Sequence, residues 1–181
     1  GEVAASPTPP TAPLYVQWGI DIDAPHPAAV VPLSPPDAAR GATLGVSLPP
    51  ELRTRETYLR LSPAEAWQTL RALSETASLT DAQVWDLTVW LWRSATRPEA
   101  LALGAQLYAQ NCAACHGETG AGDGVLAPTH VPSPAPLSVP LSSPLPGHIL
   151  PTMPYFTDPG QILGASPALL YGKIIRGGMG T

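Results

Sequence analysis

Cys112-Ala113-Ala114-Cys115-His116 holds the residues best suited to chemistry in this chain. Two thiols three positions apart, followed at once by an imidazole, make the attachment signature of a c-type haem. On a helical turn, positions i, i+3 and i+4 share one face. Both thiols can then add to the vinyl groups along one porphyrin edge, while the His116 ring reaches the iron as proximal ligand. These are the only two cysteines among 181 residues, which leaves none for a structural disulfide. One covalent haem c is the cofactor to which this spacing points.

Other uses of the motif fit its surroundings less well. A thioredoxin-like dithiol sits in a strand-rich βαβ setting, whereas residues 98–111 follow an Ala/Leu/Gln helical pattern. Zinc would need Cys112 and Cys115 with His130 and His148; that set lacks the usual close histidine pair, and prolines fill the gap between its halves. A chance match is the remaining alternative, and the flanks argue against it.

Those flanks carry a family resemblance. Gly104-Ala-Gln-Leu-Tyr108-Ala-Gln-Asn-Cys-Ala-Ala-Cys-His-Gly117 resembles the first helix and haem site of class I c-type cytochromes. Gly117-Glu-Thr-Gly120-Ala-Gly122-Asp123-Gly124 is similar to the glycine-rich loop that follows, and residues 171–181 are similar to the stretch leading to that family's methionine ligand. The resemblance covers residues 98–181 and is most specific at the haem motif. It implies a mainly α fold: a small cytochrome c-like helical domain with long Pro-rich irregular loops, preceded by a helical segment and an extended N-terminal arm. It also implies an extracytoplasmic location, periplasmic or on the outer face of the cytoplasmic membrane, because such haem attachment takes place there.

The opposite face of the iron decides the function. A thioether ligand stabilises ferrous iron and raises the potential, whereas an open position admits small ligands. The chain has two methionines. Met179 follows the Ile-x-x-Gly stretch that precedes the ligand in the resembling family and is the first candidate; its register also allows a ligand just beyond Thr181. Met153, in Thr-Met-Pro-Tyr, is the alternative. Either methionine could equally be flexible core filling. His130 and His148 read as loop histidines. The free ring N–H of His116 is expected to donate to a backbone carbonyl. The resemblance places that carbonyl near Pro134 or Pro136.

Proline organises the rest. Eleven of the 24 prolines fall in residues 1–50, one in 51–97, and eleven between 128 and 167. Residues 1–50 therefore read as an extended Pro-rich arm without regular helix, partly docked through Tyr15, Val16, Trp18 and Ile20. Residues 51–97 read as a helical extension. Ser62-Pro63-Ala64-Glu65 and Thr80-Asp81-Ala82-Gln83 are capping boxes, and Trp85, Trp90 and Trp92 call for burial. Thr80 to Ser94 resembles the C-terminal helix of a c-type cytochrome, so this extension reads as the relic of a domain that has lost its haem.

Residues 98–181 are the haem domain. Leu103 and Leu107 are expected to line the inner face of its first helix, and Gly104 costs that helix about 1 kcal/mol against Ala, so a packing reason is expected. In the resembling family such a glycine lets two terminal helices cross. No helix follows within the chain, so either the sequence stops short of the natural C-terminus, the favoured reading, or the tryptophan-rich helix takes the role. A last short helix is expected at Pro167, capped by Ser166.

The net charge of −5 argues against nucleic acid and allows steering toward a basic redox partner. No apolar run approaches the ~20 residues of a membrane span, so no transmembrane segment is expected. The first residue is Gly rather than Met, as in a processed, exported chain. Electron transfer within a respiratory or photosynthetic assembly is the leading expectation, with other redox subunits as partners and the arm as tether. The analogy is to the mono-haem subunits of quinol-oxidising assemblies such as alternative complex III. The rival is a haem enzyme, peroxidase-like or serving a catalytic partner. No acid–base pair clusters near the motif, so an electron carrier is favoured over a catalyst.

Overall fold

The computed structural model describes residues 11–127 and 156–176. They form nine α-helices and no strand: α1 (Leu14–Gln17), α2 (Ala38–Thr43), α3 (Arg55–Arg60), α4 (Pro63–Arg71), α5 (Asp81–Ser94), α6 (Pro98–Asn111), α7 (Ala113–His116), α8 (Pro159–Ile162) and α9 (Pro167–Arg176). None of these helices is long and apolar enough to cross a membrane. The mainly α expectation holds.

The starts of α4 and α5 are written into the sequence. Ser62 Oγ accepts from the Glu65 amide, and the Glu65 carboxylate accepts from the Ser62 amide at 2.7 Å. Thr80 and Gln83 make the same reciprocal pair. Each box satisfies two of the amide donors that a helix N-terminus otherwise leaves unpaired. Proline stands at the first position of α4, α6, α8 and α9, where its missing N–H costs nothing.

Helix α5 is the centre of the larger core. Its Val84, Leu87 and Leu91 pack with Leu70 of α4 and with Leu48. Trp85 stacks on Trp67 with ring centroids 5.7 Å apart, and Trp92 meets Tyr58 at 5.2 Å. The expected burial of the tryptophan helix is present: Trp85 is buried, and Trp90 and Trp92 are half-buried.

Helix α2 crosses α5 at Gly41. A Cβ there would collide with the Asp86 carbonyl oxygen, so only glycine lets the backbones approach this closely. The preceding residue fixes the crossing electrostatically. Arg40 holds the buried Asp86 carboxylate through Nε and Nη2, both at 2.8 Å, and the Asp37 amide donates to it at 2.6 Å. The Arg40 hydrogen bonds hold the Asp86 carboxyl below the usual carboxylate range, with the Asp37 amide assisting and burial opposing.

One expectation needs correction, and one alternative falls away. Residues 1–50 are not free of regular helix, because α2 fits its six residues between Pro36 and Pro49. The tryptophan-rich α5 does not cross Gly104 of α6; its close crossing is with Gly41 of α2.

A second, smaller cluster joins the two ends of the described chain. Ile22, Ala165 and Leu169 pack with Tyr15, Ile20 and Leu170, and α9 lies against α1 and α3. Lys173 Nζ donates to the Ile22 carbonyl at 2.7 Å, and Arg176 pairs with Asp23 at 2.7 Å. The Ala28 amide donates to Gly160 O and the Ala64 amide to Leu163 O, at 2.8 and 2.9 Å. Tyr15 and Ile20 therefore dock as expected, while Val16 stays exposed.

Candidate haem site

Helix α6 buries no residue. Leu103 and Leu107, expected on an inner face, are 55% and 50% exposed. The stripe is apolar as read, but no described residue covers it. Gly104 has open space where a Cβ would stand.

At Cys112 the helix breaks (φ −120°, ψ −36°) and restarts as α7. The Cys115 and His116 amides both donate to the Cys112 carbonyl, at 3.1 and 2.9 Å, which winds the two thiols and the imidazole onto a single turn. Both cysteines are free and half-buried.

The glycine-rich loop folds back over that turn. The Gly122 amide donates to His116 O at 2.8 Å and the Leu126 amide to Ala114 O at 2.7 Å. Gly117 turns the chain at φ 81°, where any Cβ would strike the Asp123 carboxylate, and Gly124 sits flat on the Ala113 and Ala114 carbonyls. Left-handed geometry at the first and close backbone approach at the second explain why this stretch is rich in glycine.

Two aromatic residues complete the site, neither singled out from the sequence. Tyr108 donates its hydroxyl to Gly117 O at 2.8 Å, tying α6 to the loop. Burial pushes its phenol up, with Cys112 and Asp123 adding to the effect. Phe156 lies over the His116 ring at 4.5 Å, inclined by 21°, and its amide donates to Gly120 O at 2.9 Å. It is the only phenylalanine in the chain, which was its one visible signal.

His116 Nδ1 is buried and has no hydrogen-bond partner among the described residues. A buried, unpaired ring nitrogen is costly, and a histidine ligating iron through Nε2 needs its Nδ1–H paired. Pro134 and Pro136, expected to offer the carbonyl, lie outside the described residues, as do Met153, Met179, His130 and His148. The donor set present fits the group: two free thiols and one imidazole on one turn, beside a backbone that admits nothing larger than glycine.

No curated protein and no solved structure matches the chain. Residues 101–146, which span the motif, match the family model described as Cytochrome c, and this match supports a cytochrome c domain carrying the site.

Proposed function

We propose that the chain transfers single electrons through one haem c, bound by thioethers to Cys112 and Cys115 and ligated by His116. The Cytochrome c match supports haem-based electron transfer. The observation that carries the reading is the buried Nδ1 of His116, unpaired among the described residues, on the same turn as two free thiols. The bound haem would supply reversible one-electron chemistry at iron.

The chain's own residues hold and orient that group. Cys112 and Cys115 fix one porphyrin edge. Phe156 limits rotation of the His116 ring, and the 117–124 loop presses its backbone against the motif. A carbonyl at Pro134 or Pro136 would pair Nδ1, and Met179, or in its place Met153, would supply the sixth ligand. Val125 and Leu126, exposed beside the turn, offer an apolar contact for a redox partner.

The wider reading places the chain outside the cytoplasm as a subunit of a respiratory or photosynthetic complex, tethered through its N-terminal arm. In that reading residues 51–97 are a haem-less relic and residues 98–181 the working domain.

The test is production in a host competent in cytochrome maturation, then denaturation and extraction with acidic acetone. The red colour is expected to stay with the polypeptide; colour that leaves with the solvent, or never forms, overturns the proposal. Carbon monoxide added to the reduced protein is expected to leave the spectrum unchanged. A shifted spectrum would mean an open sixth position and would favour the haem-enzyme alternative.

A further inference from the structure

A frame of aromatic and backbone groups holds the His116 imidazole from one side. Phe156 lies over its ring at 4.5 Å, and Tyr108 meets Phe156 at 6.5 Å with the rings inclined by 62°. The Tyr108 hydroxyl returns to the backbone beside the histidine, at Gly117 O. Gly120 closes the frame. A Cβ there would stand 2.9 Å from the Phe156 Cβ, so the phenylalanine sits directly on glycine backbone. The ring torsion of a histidine is intrinsically broad, so its angle is whatever its neighbours impose.

Phe156 reaches this frame from another part of the molecule. Among the described residues, one hydrogen bond joins residues 97–127 to the rest of the chain, from the Phe156 amide to Gly120 O at 2.9 Å. Three residues later α8 begins, with the Asp158 carboxylate accepting from the Gly160 amide at 2.8 Å. Helix α8 is in turn tied to the arm and to α4. Gly160 O accepts from the Ala28 amide at 2.8 Å, and Leu163 O accepts from the Ala64 amide at 2.9 Å. Gly164 lies flat on the arm, where a Cβ would collide with the His26 carbonyl oxygen.

We infer that Phe156 is the positioning residue that sets the rotation of the His116 ring, and that α8 imposes this setting from the arm and α4. Neither the arm nor α4 makes a hydrogen bond to the haem motif among the described residues, yet both act on its ligand through α8. Groups that fix the orientation of a ligating histidine tune the metal it holds. The consequence at iron rests on the haem reading; the stack itself does not.

Two readouts keep the stack and the haem apart. The first uses the full chain from a host without cytochrome maturation. By NMR its His116 ring protons are expected upfield of those of an unstacked histidine, and Phe156→Leu should remove that displacement. The second uses the haem-loaded, oxidised chain, whose four haem-methyl proton resonances report the plane of the axial imidazole. Phe156→Leu should change their order or spread, whereas Phe156→Tyr, which keeps the ring, should preserve the wild-type pattern. Gly164→Ala drives α8 off the arm and should shift the pattern although Phe156 is intact. Added to Phe156→Leu it should change nothing further, since both act through one contact.

Far-UV circular dichroism checks that each variant stays helical; should Phe156→Leu lose helix, Gly164→Ala carries the test. An undisplaced His116 ring in the wild type, or haem-methyl resonances indifferent to Phe156→Leu, would overturn the inference. Full additivity of Gly164→Ala with Phe156→Leu, or no effect of Gly164→Ala, would overturn the role given to α8. A wild-type chain without covalent haem would overturn the proposed function instead, and the first readout would then decide the stack.

Discussion

Gly41 and Gly104 sit in nearly identical tetrapeptides, yet one is wedged against the carbonyl of a neighbouring helix and the other faces open space. The same contrast runs through the helices around them. Leu70 of α4 is wholly enclosed, whereas Ile174 of α9 is 74% exposed. A glycine or a leucine stripe thus tells which face of a helix is ready for a neighbour. Whether a neighbour is there depends on the rest of the fold. The first region closes on itself; the second keeps its order locally, by backbone hydrogen bonds around one turn.

The largest effect that would sharpen this contrast is chemical. Replacing both cysteines, Cys112→Ala with Cys115→Ala, should remove all covalently held haem, seen as loss of the red band after denaturation. The packing of α2, α4 and α5 should survive, since none of it touches the motif.

Next in size are paired truncations. Leu70→Ala should cost about 2–5 kcal/mol in chemical unfolding, the range for emptying an enclosed core position. Leu107→Ala should stay within about 0.5 kcal/mol, as for surface positions. Equal losses would break the distinction between the two regions.

The two glycines should then respond with opposite sign. Gly41→Ala forces α2 and α5 apart and should destabilise by about 1–3 kcal/mol. Gly104→Ala gains helix propensity without a clash and should stabilise α6 by up to about 1 kcal/mol. Thermal unfolding of both variants checks this.

The smallest expected effect is confined to acid. The folded carboxyl of Asp86 titrates below its unfolded value near 3.9. Its contribution is therefore present above about pH 4 and is lost as pH falls through the folded value. Asp86→Asn should flatten that acid limb of stability and leave the haem spectrum unchanged.

The legible parts of the molecule were those written in neighbouring residues. The haem turn, the capping boxes at Ser62 and Thr80, and the prolines opening α4, α6 and α9 all follow from short spacings. Helix α2 was hidden because prolines flank it and its six residues give too little periodicity. Phe156 and Tyr108 were hidden because their roles depend on loop geometry that brings distant residues to His116. The burial of Leu103 and Leu107 was misjudged because periodicity identifies an apolar face without identifying its cover.

The anchoring of Leu126 and Phe156 has its own consequence. One amide holds to the motif turn and the other to the loop just after it, so the residues between them begin and end at nearly one place. The free energy of closing such a loop grows only logarithmically with its length, by about 0.6 kcal/mol per doubling. Insertions and deletions between those two anchors that spare Pro134, Pro136 and Met153 should therefore be tolerated without disturbing Cys112, Cys115 or His116.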